Sequence, residues 1–514
     1  MSSTLHSGEL KTTSAEELRH FREVLAAANY TGACHTEFLT PFELVAPRNV
    51  PHLVRISAPK SQLKTLVLMF LFGVPTDAAA ARDAVQPVQL ESLEQMGLLK
   101  LEAGVATAKV SLVPFGNLVL AVDLHEKIYN GAPSDVVMGM TQSTLELGNI
   151  TIRKPSRKTL DFGTGSGIQA FLAAAHSDRV YAVDCSSRAL NFARFSAALN
   201  GISNIEFIEG NGFDAVRGLR FDLIVANPPF AVTPERRYVY RDSGMHLDAF
   251  AESLIRRAPE FLEESGFFQC QCDWVHIAGG NWQERLSHWV HGSGCNAWII
   301  RQQTLAPPVY AEAWIRSTEQ DDHATAVRLC EEWSDFYRRE NVEAISTGFI
   351  CLRRAAGRSN WLRIDDPVGE ISDGSGASIE LGFALRDFLE TVRNDEALLQ
   401  AKLRTSPDVR LAREAAWSVN GWQGVKSKIG LSRGLSYTAS IDPPVATLIA
   451  HCDAQHTLAE LMTQMGSSLG VAIERLIPAT MPLVRQLIER GFLLPASMIA
   501  NSPNQQHRLD HWSF

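Results

Sequence analysis

The 514-residue sequence has no apolar run of the roughly 18 residues that a membrane-spanning helix needs. Its best candidate, Leu63 to Val74, is interrupted by Lys64 and closes on Gly73 and Pro75, so it reads as a buried helix. Met1 to Lys11 has neither a basic start nor an apolar core, so no secretory leader is expected. Cysteine is sparse, with eight scattered residues of which Cys270 and Cys272 are close together. Inside Phe267-Phe-Gln-Cys-Gln-Cys272 they read as neighbours on one face of a strand. Without a second Cys/His pair at finger-like spacing, no metal site is expected. Reduced thiols and a cytoplasmic location follow. A basic surplus is missing too: 48 Lys and Arg face 57 Asp and Glu, a net charge of −9. That balance weighs against a long footprint on nucleic-acid phosphates.

What is present is the composition of a globular protein, 45% hydrophobic and 20% charged, on a chain long enough for two to four domains. After a polar start, Leu18, Phe21, Val24 and Leu25 are spaced for one helix face. Helices are expected over Leu63–Phe72, Asp77–Ala84 and Val88–Met96. Strand-like runs at Leu98–Leu101 and Lys109–Pro114 follow, joined by a turn near Gly104. Three helices and a two-stranded ribbon resemble a winged helix. The third helix carries Glu91 and Glu94 and no cation before Lys100, which favours docking or substrate covering over nucleic-acid contact.

From Thr159 to about Arg354, strands and helices alternate. This predicts an α/β fold whose mainly parallel sheet has helices on both faces. It is preceded by Arg153-Lys-Pro-Ser-Arg-Lys158, the densest basic run, read as a solvated linker or a contact for a polyanion. The organisation expected is a helical module over 1–124, an α/β domain over 125–356, a linker over 357–375 and a helical module over 376–514. In the last, Val445–Leu494 repeats the logic of the first module, and Thr457-Leu-Ala-Glu460 is a capping-box signature.

Two stretches carry chemistry. Leu160-Asp-Phe-Gly-Thr-Gly-Ser-Gly167 lies between a strand and a helix, where glycines let the backbone close on a ligand. Asp161 at the strand end is unsuited to a pyrophosphate and suits a ligand bearing an ammonium group. Leu223-Ile-Val-Ala-Asn-Pro-Pro-Phe230 is a buried strand that runs into a proline-stiffened extended segment. It presents the Asn227 amide and a free carbonyl to one small target, with a flat ring beside them.

The first stretch resembles motif I of the class I S-adenosylmethionine-dependent methyltransferases. The second resembles the Asn-Pro-Pro-aromatic motif of the amino-methyltransferases that act on base amines and on release-factor glutamine. The resemblance covers about 125–355. It implies a Rossmann-like seven-stranded sheet flanked by small helical, winged-helix-like domains, and S-adenosylmethionine as cofactor. By the same resemblance the cofactor is held by Asp161, Gly163, Thr164, Gly165, Gly167, Asp184, Cys185, Asn211, Gly212, Phe213 and Asn227. The catalytic set is Asn227, Pro228, Pro229 and Phe230, and Tyr129, Phe230 and Arg241 touch substrate. The implied activity is methyl transfer to a planar nitrogen of RNA or of protein glutamine. A small-molecule or peptide acceptor is the alternative, and a cofactor-binding regulator without turnover is the reading of a different class. The flanking modules could also join copies of the chain.

Overall fold

Eight runs between Ser156 and Asp365 pair into a single sheet. Numbered along the chain, they are β1 (Ser156–Phe162), β2 (Ser177–Asp184), β3 (Ile205–Glu209), β4 (Phe221–Ala226), β5 (Leu262–Ile277), β6 (Cys295–Leu305), β7 (Val342–Arg354) and β8 (Leu362–Asp365). Their order across the sheet is β8-β6-β7-β5-β4-β1-β2-β3. Strands β1 to β5 run parallel. β7 is inserted antiparallel between β5 and β6. The chain order reverses at β1, which has β2 on one side and β4 on the other. A crevice at the carboxyl ends of these strands is the usual ligand position in such sheets. Leu223 to Ala226 are buried without alternation, as expected of a strand covered on both faces.

The computed structural model describes residues 9–32, 61–124, 134–318, 323–357, 359–366, 371, 374–419 and 421–499. They fall into two compact units, one drawn from 1–147 and 154–365 and the other from 148–153 and 366–511. The sheet has eight strands where seven were expected. The eighth lies in the stretch read as a linker. Leu362 to Asp365 pair in parallel with Ala297 to Ile300, and Trp298 Nε1 donates to Asp365 Oδ2 at 3.0 Å. Its glycine- and serine-rich surroundings hid this short run.

The first unit also contains the amino-terminal module. Helix Ala15–Ala27 is capped by Ser14 and buries Leu18, Phe21, Val24 and Leu25. After it come a helix at Gln62–Leu66 continued by a wider turn at Val67–Leu71, a short strand at Thr76–Asp77, helices Ala78–Val85 and Leu90–Gln95, and strands Leu99–Glu102 and Val105–Ala108. The last two form a hairpin across Gly104, and Val105–Ala108 also pairs with Thr76–Asp77. The turn falls where the sequence places it, but its second strand is the small-residue run Val-Ala-Thr-Ala. The expected partner run instead forms its own hairpin, Ser111–Phe115 with Leu118–Val122. The module packs on helix Ser187–Asn200, burying Phe192, Phe195 and Leu199 in a shared core. Amide side chains fix that contact. Asn191 exchanges two bonds with the Leu10 backbone, at 3.0 and 2.9 Å, and Asn200 does the same with Val119, at 2.9 and 2.7 Å.

In the second unit a three-stranded sheet has Lys402–Thr405 between Asp453–Thr457 and Leu493–Pro495. Helices Pro443–His451, Leu458–Leu469 and Ile473–Glu489 surround it, and the Thr457–Glu460 capping box forms in full. A long antiparallel ribbon, Val409–Ser418 with Gly421–Leu431, was not foreseen from the sequence.

One position tests the tightness of the main sheet. A methyl group on Gly348 would stand 2.2 Å from the Ile300 carbonyl oxygen and 2.8 Å from the Trp274 ring. Gly348→Ala should therefore lower the unfolding free energy by about 1–3 kcal/mol, read as a reduced urea midpoint.

Candidate active site

Three neighbouring strands end in the residues singled out by sequence. At the end of β1, Asp161 is 2% exposed. Its Oδ2 accepts both the Thr164 hydroxyl, at 2.6 Å, and the Ala170 amide, at 2.9 Å. Oδ1 is left to face other groups. Burial pushes this carboxyl up to about 7, against the lowering effect of the two bonds. At the end of β2, Asp184 accepts from the Gly165 amide through Oδ2 and from the Ser186 amide through Oδ1, each at 2.8 Å. It thereby ties its strand to the glycine turn, and burial raises its pKa as well. The turn needs glycine at 167, where φ is +94° and a Cβ would meet the Phe171 ring at 2.5 Å. Gly163 and Gly165 differ in having open space where a Cβ would stand, with nothing within 4 Å. They form the floor of an unobstructed cradle beside Asp161.

At the end of β4, Asn227 Oδ1 is buried and has no hydrogen-bond partner among the described residues, while Nδ2 lies 3.5 Å from Ser143 Oγ. Pro228 is buried, and Pro229 and Phe230 are half-buried. The Phe230 ring meets Trp314 edge-on at 6.0 Å.

The remaining residues fall less evenly. Asn211 and Cys185 are exposed at the ends of β3 and β2. Gly212 approaches the Phe162 ring so closely that a Cβ would lie 2.6 Å from it. Phe213 is a core residue: its ring stacks on Phe261 at 4.5 Å and tilts against Phe162 at 4.9 Å. Only its backbone is left to meet a ligand. Tyr129 lies outside the described residues. Arg241 requires a correction. Its side chain is 1% exposed, bonded to Glu235 at 2.7 Å and to Asp242 at 2.6 Å, and flanked by the Tyr238 and Trp333 rings. A guanidinium so enclosed braces the loop after the Asn-Pro-Pro-Phe segment and is not placed to touch a substrate.

That loop is held by groups the sequence did not reveal. The Val232 amide donates to Tyr310 Oη at 3.0 Å, and the Val232 carbonyl accepts from Tyr337 Oη at 2.6 Å. Tyr310 in turn donates to Asp273 Oδ2, whose other oxygen accepts from Thr347 at 2.7 Å. Burial pushes the Asp273 carboxyl up to about 7 and keeps both phenols neutral far above their ordinary range. Tyr310 and Trp314 come from helix Pro307–Thr318, and Trp333 and Tyr337 from helix His323–Arg339. The spacings of 4 residues within each pair could have signalled one helix face. Nothing local linked that face to a motif about eighty residues earlier.

The glycine turn, the two acids at adjacent strand ends and the amide at the fourth define a site of class I methyltransferase type, whose cofactor is S-adenosylmethionine. Comparison with known proteins agrees. A family model described as methyltransferase small domain matches residues 142–270. A model described as a domain of unknown function matches 380–495. Release factor glutamine methyltransferase of Xylella fastidiosa is 34% identical over 131 residues, covering 23% of this chain and 47% of that one. Ribosomal RNA small subunit methyltransferase C of Cronobacter sakazakii is 40% identical over 111 residues, covering 21% and 29%. The chain thus spans under half the length of either relative. These matches support a methyltransferase domain in the middle segment, similar to the methyltransferase small domain. The residues present fit that cofactor, with an open cradle at Gly163 and Gly165 and a half-exposed acid at Asp184.

The phenol clamp has a measurable weight. Tyr337→Phe leaves the Val232 carbonyl buried without its donor, a defect of about 1–3 kcal/mol. Denaturant unfolding of the variant should show that loss.

Proposed function

We propose that the chain is an S-adenosylmethionine-dependent N-methyltransferase acting on a planar amino or amide nitrogen of a macromolecule. The observation that carries this reading is the Asn227 side-chain oxygen, enclosed at the end of β4 without a partner among the described residues. A buried acceptor left unpaired costs about 1–3 kcal/mol, so a donor is expected there in the working state. A substrate N–H fits, because a planar nitrogen carries the donors that an amide oxygen takes. The names of the curated relatives, one acting on release factors and one on ribosomal RNA, support a macromolecular acceptor.

The chemistry follows from what the nitrogen lacks. Its lone pair is delocalised, and removing a proton near neutral pH is not feasible. Asn227 Oδ1 and the Pro228 carbonyl would each accept one N–H, holding the nitrogen so that the lone pair is turned out of the plane. Phe230, steadied by Trp314, would lie against the planar group. When bound, S-adenosylmethionine supplies an electrophilic methyl group. Alignment of this kind is worth several kcal/mol of barrier, and the carbonyl dipoles favour the positive charge that grows on nitrogen. No general base is needed in that step. Asp161 Oδ1 would take the cofactor ammonium, and Asp184 its ribose.

The amino-terminal module would serve as a winged helix used for docking. Its short helices beside a small antiparallel sheet support that reading. Its third helix spends Glu91 on Arg82 at 2.7 Å and Glu94 on the Leu101 amide at 2.7 Å, leaving no basic face.

Asn227→Ala should reduce methyl transfer by about a hundredfold or more while calorimetric affinity for S-adenosylmethionine stays unchanged. A variant that turns over at the parent rate would remove Asn227 from the grip. The Asp161 assignment has its own test. A carboxyl with a pKa of about 7 is mostly protonated at pH about 6, and binding an ammonium group requires the carboxylate. Cofactor binding at that pH should therefore release close to one proton, seen as a binding enthalpy that varies with the buffer. The release should vanish by about pH 8.5. A buffer-independent enthalpy at both values would exclude the pairing.

A further inference from the structure

We propose that the ribbon formed by Val409–Ser418 and Gly421–Leu431 is an RNA-binding arm and that the acceptor macromolecule is RNA. This rests on the N-methyltransferase reading only for the word acceptor; the binding itself is independent of it.

Exposure gives the first reason. Successive side chains of a strand point to opposite faces, and every residue from Arg410 to Trp417 is exposed. Both faces of that strand are therefore reached by solvent. The third strand of this sheet, Thr438–Ile441, pairs only with Ser427 to Gly430. Ile429 is buried at that root, at 2% exposure, whereas the outer half, Ala415–Ser418 opposite Gly421–Gly424, has no third strand beside it among the described residues. A two-stranded ribbon in water is marginally stable by itself, so its length is poorly explained by the folding of this unit.

The second reason is charge. Between Val409 and Leu431 lie Arg410, Arg413, Lys426 and Lys428 and a single acid, Glu414, in a chain whose net charge is −9. The register sets Glu414 opposite Lys426, while Arg410, Arg413 and Lys428 stand opposite Gly430, Ser427 and Ala412. The Arg410 guanidinium bonds to the Pro407 and Val409 carbonyls at 2.8 and 3.0 Å, which fix its direction without cancelling its charge. The third reason is the end of the arm. Trp417 is 69% exposed and Val419 fully exposed. Cations along a ribbon with an indole at its tip match a single-stranded nucleic acid, whose phosphates take the cations and whose bases stack on the ring. A protein acceptor would need an acidic surface to meet these cations. Between the two macromolecules named by the relatives, the arm fits RNA. The acidic third helix of the first module is consistent with nucleic-acid contact being made elsewhere.

The test is fluorescence anisotropy of the full-length protein with a short labelled single-stranded RNA of mixed sequence, without cofactor, over a range of salt. The parent should bind with affinity that falls as salt rises. Trp417→Ala should weaken binding about tenfold with an unchanged salt slope. Arg413→Ser with Lys428→Ser should lower that slope by about 0.7 for each cation removed. All three positions are exposed, so the urea midpoint and calorimetric cofactor affinity should match the parent and certify the fold. No measurable RNA binding by the parent, or equal binding by the variants, would overturn the arm. So would tighter binding of polyglutamate than of RNA. Tighter binding of the DNA of the same sequence would overturn the choice of RNA. Loss of RNA binding with intact cofactor binding would leave the methyltransferase reading standing.

Discussion

The Val232 backbone is held at both its N–H and its carbonyl by phenols, and the course of the segment after the Asn-Pro-Pro-Phe motif depends on that pair of bonds. Two prolines stiffen the segment before it, but a stiff segment still needs an anchored end. Tyr310 supplies one anchor and is itself fixed by Asp273, deep in β5, where Thr347 of β7 closes the network. Tyr337 supplies the other. Arg241, enclosed between two aromatic rings and two carboxylates, keeps the following loop from drifting. The segment that carries Asn227 thus runs into an anchored end.

What the sequence disclosed follows from how local the signals were. Asp161, Asp184 and Asn227 each sit where a strand meets a turn, and glycine and proline mark such places within a few residues. The parallel sheet was legible for the same reason. Tyr310, Trp314, Trp333 and Tyr337 were not, because a helical aromatic pair looks alike whether it fills a core or braces a loop. Phe213 shows the opposite error. It follows the third strand where a ligand-facing residue is expected, yet its ring is drawn into the core by Phe162 and Phe261. Arg241 was placed against substrate by the family resemblance, and nothing in the sequence showed that Glu235 and Asp242 would enclose it. The ribbon of the second unit escaped because Arg413-Glu-Ala-Ala alternates too weakly to announce a strand.

The two flanking regions differ in chemistry although both combine helices with small sheets. In the amino-terminal module the charged residues of the third helix are consumed inside the module, and amide side chains of helix Ser187–Asn200 seize its backbone. It is built as a fixed part of the first unit. The second unit instead carries its cations outward on a strand with both faces reached by solvent. A chain that is acidic overall can thus confine a basic surface to one projecting element.

The antiparallel placement of β7 between β5 and β6 has a consequence for how the protein is made. β6 borders β7 and β8, so it has no seat in the sheet until residues 342–354 exist. Through that interval of synthesis the long apolar β5 presents an open edge, the kind of surface that invites pairing between chains. The helices that clamp Val232 also emerge late, within this same interval. A nascent chain therefore possesses its glycine turn well before the Val232 segment is anchored, and the emerging domain must be shielded or must remain uncollapsed until the sheet can close.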